Sequence, residues 1–331
     1  MMLKLSLKRT ALTIGAIANV LLLIGWNSPA QAQTYPTRTI RIVVPYAPGG
    51  GCDFVGRTIA EKLSQALGQP EIVDNRPGGS TNIGTEFVAH SKPDGYTLLV
   101  GSVPTTVNMV LFKNLRFNTI HDFVHVTLLS AVPNILVVHP SLPAKSVPEL
   151  IALAKSRPGQ LTFGSAGIGT SNHLSGELFK MMAGIDMLHV PYKGGSGAVA
   201  ELLGGHISMY FATSPSVVSQ VQSGKLRALG LTSAKRSSSW PGVPTIAESG
   251  LPGFEQSAWH GLFAPSGTPE SIVTRLSTET VRILRMPDVV ARLATQGFDV
   301  IASSPAEFAA FIKQDVAKYE KLIKAANIHV E

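Results

Sequence analysis

Short apolar strands in this chain run into glycine-rich turns and then into amphipathic helices, many times over. That alternation calls for a largely parallel sheet with helices on its faces, because parallel strands need a long crossover between them. The first unit is the clearest. Ile40, Ile42, Val43 and Val44 make a buried strand, residues 45–51 break it, and a helix follows with Val55, Ile59, Leu63 and Ala66 on one side and Gly68 as its stop. Asp53 stands where an N-cap is expected, with Arg57 four residues on. Further strands are expected at 97–101, 135–139, 161–165, 187–191, 207–211, 226–232 and 259–264. Ser146 with Glu149, Thr245 with Glu248 and Ser304 with Glu307 have the capping-box spacing of a helix start, and Thr268-Pro269 opens another helix. Phe308, Phe311, Ile312, Val316 and Ile323 recur at helical spacing and read as core.

The N-terminus reads as an export signal. Lys4, Lys8 and Arg9 precede an apolar run from Thr10 to Trp26, and Ala30-Gln31-Ala32 follows as a small-residue cleavage pattern. Cleavage after Ala32 sends the chain to the periplasm. It removes three of the 28 basic residues and none of the 21 acidic ones, leaving a mild formal excess of +4. The remaining Lys and Arg are scattered, so nucleic acid is not an expected partner. Cys52 is the one cysteine, which excludes an internal disulfide and any zinc site of clustered thiolates. Burial must therefore supply the stability, and a chain that is 44% hydrophobic can build two lobes.

The chemistry is concentrated in four glycine clusters: 48–53, 76–84, 164–171 and 191–197. The first, third and fourth join a strand to a helix. Glycine lets the backbone approach a bound group, and the free N–H groups of a helix start carry partial positive charge. In open α/β sheets such strand ends line the ligand crevice. A carboxylate or phosphate could be held there without lysine or arginine. Enzyme signatures are missing: there is no P-loop, no complete dinucleotide fingerprint, no H-E-x-x-H, and Phe163 replaces the first glycine of a nucleophile elbow at 163–167. Cys52 would act as a nucleophile only with a histidine beside it, His173 being the one to examine; a pocket-lining thiol is the simpler reading. His173 itself either donates to a ligand oxygen or satisfies local backbone. No cofactor and no metal are expected.

Taken together, these motifs resemble the Bug-type receptors, the solute-binding subunits of tripartite tricarboxylate transporters. The resemblance is carried by Val44-Pro45-Tyr46-Ala47-Pro48-Gly49-Gly50-Gly51-Cys52-Asp53, then Asn75-Arg76-Pro77-Gly78-Gly79 with Asn82-Ile83-Gly84, then Phe163-Gly164-Ser165-Ala166-Gly167 through His173 to Phe179. It continues through His189-Val190-Pro191-Tyr192-Lys193-Gly194-Gly195, the segments 224–229 and 243–250, and Trp259-His260-Gly261-Leu262-Phe263-Ala264-Pro265. It implies an α/β type II periplasmic-binding-protein fold, two lobes around a central ligand cleft joined by two crossing segments. Lobe one would be 33–133 plus 257–331 and lobe two 134–256, with hinges near 131–134 and 254–257. It also implies a non-enzymatic, monomeric receptor that captures a small carboxylated molecule (a di- or tricarboxylate, an aromatic acid or an amino acid) through backbone amides and water. The receptor would deliver it to a membrane permease or, alternatively, present it to a sensor kinase. The ligand-binding set implied is Tyr46, Gly49, Gly50, Gly51, Cys52, Asp53 and Ser102 from lobe one, and Ser165, Ala166, Gly167, Gly169, Thr170, His173 and Tyr192 from lobe two, with Asp53 structural because carboxylates repel one another. Three departures bear on the ligand. Cys52 stands where the family usually has serine or threonine, and Ser208 and Ala212 stand where acidic residues are frequent.

Overall fold

The computed structural model describes residues 35–237, 239–325 and 328. The expected signal segment and its cleavage after Ala32 lie outside the described residues. Arg38–Glu331 forms one compact unit, to which the following applies. The strands are β1 Ile40–Val44, β2 Glu71–Asn75, β3 Thr97–Ser102, β4 Phe123–Val138, β5 Thr162–Ser165, β6 Leu188–Pro191, β7 Met209–Thr213, β8 Arg227–Leu231, β9 Ser257–Pro265 and β10 Asp299–Val300. The helices are α1 Gly51–Leu67, α2 Asn82–Ala89, α3 Val103–Leu111, α4 Val147–Ser156, α5 Ser171–Ala183, α6 Gly195–Leu203, α7 Ser214–Gln222, α8 Glu270–Leu284, α9 Pro287–Ala294 and α10 Pro305–Ala325.

Two sheets organise these elements. In the first, the order is β2-β1-β3-β9-β4 with β10 on the outer edge of β4; in the second, β4-β7-β5-β6 with β8 also on β4. The sixteen-residue β4 belongs to both. Its residues 123–133 pair with β9, and from Asn134 onward it pairs with β7. The chain returns from the second sheet to the first between β8 and β9, where Gln256 N donates to Thr232 O and Asn134 N donates to Thr232 Oγ1. Two α/β lobes are thus joined by two crossing segments. Each lobe has its own apolar core. Val43, Leu99, Phe263, Phe308 and Ile312 anchor the first. The second lobe carries Leu136, Phe163, Phe179 and Phe211 on one sheet face, and Ile135, Leu202, Tyr210 and Leu231 on the other.

The structure corrects four local expectations. Asp53 is the third residue of α1, not its N-cap; that place belongs to Gly50, whose extended backbone starts the helix. The strand expected at 135–139 is the last four residues, 135–138, of β4, which begins twelve residues earlier. Buried Thr127 and Ser130 break the apolar alternation there, and its register against β9 shifts twice. The edge strand β2 was unexpected, since Glu71 and Asp74 give it no apolar face. Thr245 and Glu248 do make the reciprocal capping bonds, Glu248 N donating to Thr245 Oγ1 at 3.0 Å and Thr245 N to Glu248 Oε2 at 3.0 Å. They close only a turn, because Gly250 at φ +110° and then Pro252 end the helical backbone. By contrast, Ser146 and Ser304 each open a full helix, α4 and α10.

Gly261 shows how tightly the first lobe is packed. A Cβ there would lie 2.1 Å from the ring of Phe308, which is fully buried and has no room to yield. Gly261→Ala is expected to lower unfolding stability by about 1–3 kcal/mol, the usual cost of overpacking, read as a fall in the urea midpoint at unchanged slope.

Candidate functional site

Between the lobes lies a small hollow, partly open to solvent, in which about 40 Å³ is reachable by the centre of a water-sized sphere. Its lining comes from five strand-to-helix joins. Gly50, Gly51 and Cys52 begin α1; Ser102 and Val103 begin α3; Thr170, Ser171 and Asn172 begin α5; Gly195 begins α6; Thr213 and Ser216 begin α7. Tyr46, Ala166, Tyr210, Ala258 and His260 complete the wall. The first amides of each helix have no acceptor inside the helix. In α1, α6 and α7 no side chain of the N-cap residue satisfies them either. The positive ends of several helix dipoles therefore point at one hollow.

The lobes meet around it. Ala47 N donates to Lys193 O across the cleft at 3.4 Å. Ile168 and Leu174 from the second lobe pack into the core of the first. A Cβ on Gly51 would sit 3.3 Å from Thr213 Oγ1, and one on Gly169 would sit 2.6 Å from Asn108 Oδ1. Glycine is required at 169 on conformational grounds also, since its φ is +78°.

Among the described residues, no Asp, Glu, Lys or Arg lines the cavity. The titratable groups that do are neutral near pH 7. Burial raises the phenols of Tyr46 and Tyr210 above their ordinary value, and burial with Asp53 nearby does the same to the Cys52 thiol. Burial drops the His260 imidazole to about 3. The hydroxyls of Tyr46 and Ser102 share a hydrogen bond of 2.7 Å. The Cys52 thiol donates to Val100 O. With its proton so placed and its acidity suppressed, Cys52 is a weak donor on the wall and not a nucleophile.

Of the candidate residues, Tyr46, Gly50, Gly51, Cys52, Ser102, Ala166 and Thr170 line the cavity. Gly49, Asp53, Ser165, Gly167, Gly169, His173 and Tyr192 are not part of its lining. Asp53 accepts from Gly49 N at 3.0 Å, from Arg57 Nε at 3.0 Å and from Asn75 Nδ2 at 2.9 Å, so its carboxylate shapes the loop before α1 and turns away from the hollow. Burial pushes that carboxyl up, but these three donors outweigh it and hold it below its usual value. His173 is buried, and its Nδ1 accepts from Gly169 N at 3.2 Å; it satisfies local backbone and does not line the cavity. Residues the sequence did not single out include Asn172, Tyr210, Thr213, Ser216 and His260. Thr213-Ser214-Pro215 was a recoverable signal, being a strand-to-helix join without glycine. Tyr210 and His260 lie inside strands and carry no local mark.

A sequence profile described as the tripartite tricarboxylate transporter family receptor matches residues 55–328. Protein BugT of Bordetella pertussis is 37% identical over 302 residues, covering 91% of this chain and 93% of BugT. Among solved structures, an R. palustris protein with adipate is 36% identical with a TM-score of 0.86, covering 89% of this chain and 99% of that one. MatC from Rhodopseudomonas palustris with bound malate is 33% identical with a TM-score of 0.83, covering 87% of this chain and 100% of that one. The architecture is that of the type II periplasmic-binding-protein fold.

His260 supplies a pH test of the cavity wall. Its folded pKa lies below that of the unfolded chain, so its contribution is complete above about pH 6.5 and is lost as the pH falls toward 3. Replacing it by asparagine removes that proton linkage. Between about pH 7 and about pH 5 the wild type should lose roughly 1–2 kcal/mol more unfolding stability than His260→Asn, measured by urea denaturation at both pH values.

Proposed function

Because the chain belongs to the tripartite tricarboxylate transporter receptor family, we propose that it captures a small, fully anionic carboxylate in the cleft and delivers it to a membrane permease. Receptors of this family bind solutes without transforming them and work in the periplasm; this chain is a solute-binding receptor, not an enzyme. The reading divides the mature chain, beginning after Ala32, into a lobe of 33–133 plus 257–331 and a lobe of 134–256. Closure of the second lobe on the first completes the donor set, so ligand binding favours the closed state that the permease would recognise. The receptor acts as a monomer in this scheme.

The observation that carries the proposal is a cavity lined by five helix starts, three of them without a side-chain cap, and free of ionised side chains among the described residues. Main-chain dipoles there compensate negative charge without a counter-ion. The same wall bears on which carboxylate is taken. An amino acid would bring an ammonium group into a hollow whose lining has no carboxylate to receive it, at a desolvation cost of several kcal/mol. A dicarboxylate, whose two charges can meet different helix ends, suits the wall better. The relatives solved with adipate and malate hold ligands of that class.

Titration calorimetry decides the matter. Adipate and malate are expected to bind, and glutarate to bind at least about tenfold more tightly than glutamate, which differs from it by the ammonium group. Failure of every carboxylate to bind would sink the reading, and a preference for glutamate would sink the choice of class.

A further inference from the structure

The loop from Ser165 to Thr170 carries two wall residues, Ala166 and Thr170, between the end of β5 and the start of α5. Gly167 and Gly169 give it left-handed backbone at φ +135° and +78°, and such a segment needs outside support to hold one shape. The support comes from two histidines stacked on each other behind the loop. The rings of His173 on α5 and His189 on β6 are 4.1 Å apart, and Phe163 on β5 stacks on His189 at 4.9 Å. His189 Nε2 shares a 2.7 Å hydrogen bond with Ser165 Oγ. Ser165 Oγ in turn accepts from Gly167 N and lies 3.1 Å from Gly167 O. His173 Nδ1 accepts from Gly169 N at 3.2 Å. Each imidazole thus holds one end of a six-residue loop.

We propose that His173 and His189 are positioning residues for the ligand loop, and that His173 ties the loop's order to its own protonation state. The inference rests on the receptor reading for its effect on affinity, but not for its effect on the loop. An amide N–H can donate to Nδ1 only while that atom bears no proton, so the bond to Gly169 requires a neutral imidazole with its proton on Nε2. A proton on Nδ1 turns the acceptor into a donor facing a donor. A second charge on the stacked ring would add repulsion at 4.1 Å. Loss of the Gly169 bond frees the backbone that abuts Asn108 and Ser80 of the first lobe.

The charged groups that face the pair lie on α5. Glu177 Oε1 is 3.9 Å from His173 Nε2, beyond hydrogen-bond reach, and Glu177 is engaged by Lys180 at 3.1 Å. Ser165 on β5 is neutral. Burial, then the neighbouring His189, then Lys180 hold His173 well below its ordinary value. Burial and Lys180 bring His189 to about 4. The folded values lie below the unfolded ones, so both rings are neutral and the loop is intact at neutral pH; the loop loosens in the acid range, where His189 titrates at about 4 and His173 takes up its own proton well below its ordinary value.

Two substitutions separate the hydrogen bond from the packing. His173→Asn keeps an acceptor in the place of Nδ1 and cannot titrate; His173→Phe keeps the stacked ring and has no acceptor. Hydrogen exchange of the ligand-free full chain near pH 7 is expected to show Gly169 and its neighbours exchanging at least about tenfold faster in His173→Phe, with His173→Asn close to wild type. Equal exchange in all three overturns the proposal. If His173→Phe does not fold, the comparison runs between wild type and His173→Asn from about pH 7 to about pH 4. There His189 titrates in both proteins, so the protection of Gly169 should fall more steeply in wild type, which also loses its Nδ1 acceptor, than in His173→Asn, and parallel profiles overturn the proposal. With adipate as probe, His173→Phe should bind about tenfold more weakly and His173→Asn within about twofold of wild type. Unchanged adipate affinity in His173→Phe overturns the assignment to binding. Should adipate bind none of the three while loop exchange behaves as stated, the carboxylate reading fails and the role of the histidines stands.

Discussion

A helix leaves its first amides without acceptors, and this protein gathers that deficit from several helices onto one hollow. The sheets are wound so that the strands β1, β3, β5, β6 and β7 all end at the cleft, each feeding a helix whose first turn faces it. Most elements of the fold serve this geometry. The apolar strands place the turns, the glycines at 50, 51 and 195 keep side chains out of the way, and Asp53 ties the loop before α1 to Arg57 and Asn75. Partial charges of this kind cost no side-chain entropy and need no desolvation of a lysine or arginine. They suit a receptor, which must release its solute as well as hold it.

The two lobes are linked by backbone that is itself structured. β4 is one strand in two sheets, and at Pro133 and Asn134 it exchanges β9 for β7 as its partner. Asn134 stands at that exchange, and its side chain bonds Ser175 while accepting from Ser171 and Asn172 at the start of α5. Movement at the crossing is therefore coupled to a helix that lines the cavity. Across the cleft, contact is made by one backbone hydrogen bond, Ala47 N to Lys193 O, and by uncharged groups: Gly51 against Thr213, Gly169 against Asn108, and Ile168 and Leu174 in the core of the opposite lobe. Such contacts can part without stranding a charge.

Neutrality runs through the site and its support. Burial keeps Tyr46, Cys52 and Tyr210 protonated and His173, His189 and His260 unprotonated. The negative charge of a bound carboxylate would thus be the dominant charge in the hollow. A cysteine at position 52 fits this environment, since a buried thiol donates to Val100 O and stays inert.

Much of this was legible in the sequence. Strand, glycine turn and helix recur within about twenty residues, and such short-range patterns depend on local backbone preference and side-chain period. For that reason the glycine clusters at 48–53 and 164–171 could be marked before any coordinates, and Gly50, Gly51, Cys52, Ala166 and Thr170 within them do line the hollow. Distances between chain segments are not local. Only the tertiary structure brought Tyr210, Thr213, Ser216 and His260 to the same hollow, because sheet registers join residues more than a hundred positions apart in the chain, as Ser102 is joined to His260. It also took His173 out of the wall, to where its ring stacks on His189 and its Nδ1 accepts from Gly169 N. A sequence specifies which backbone can meet an anion; the packing of distant strands decides which side chains are there when it does.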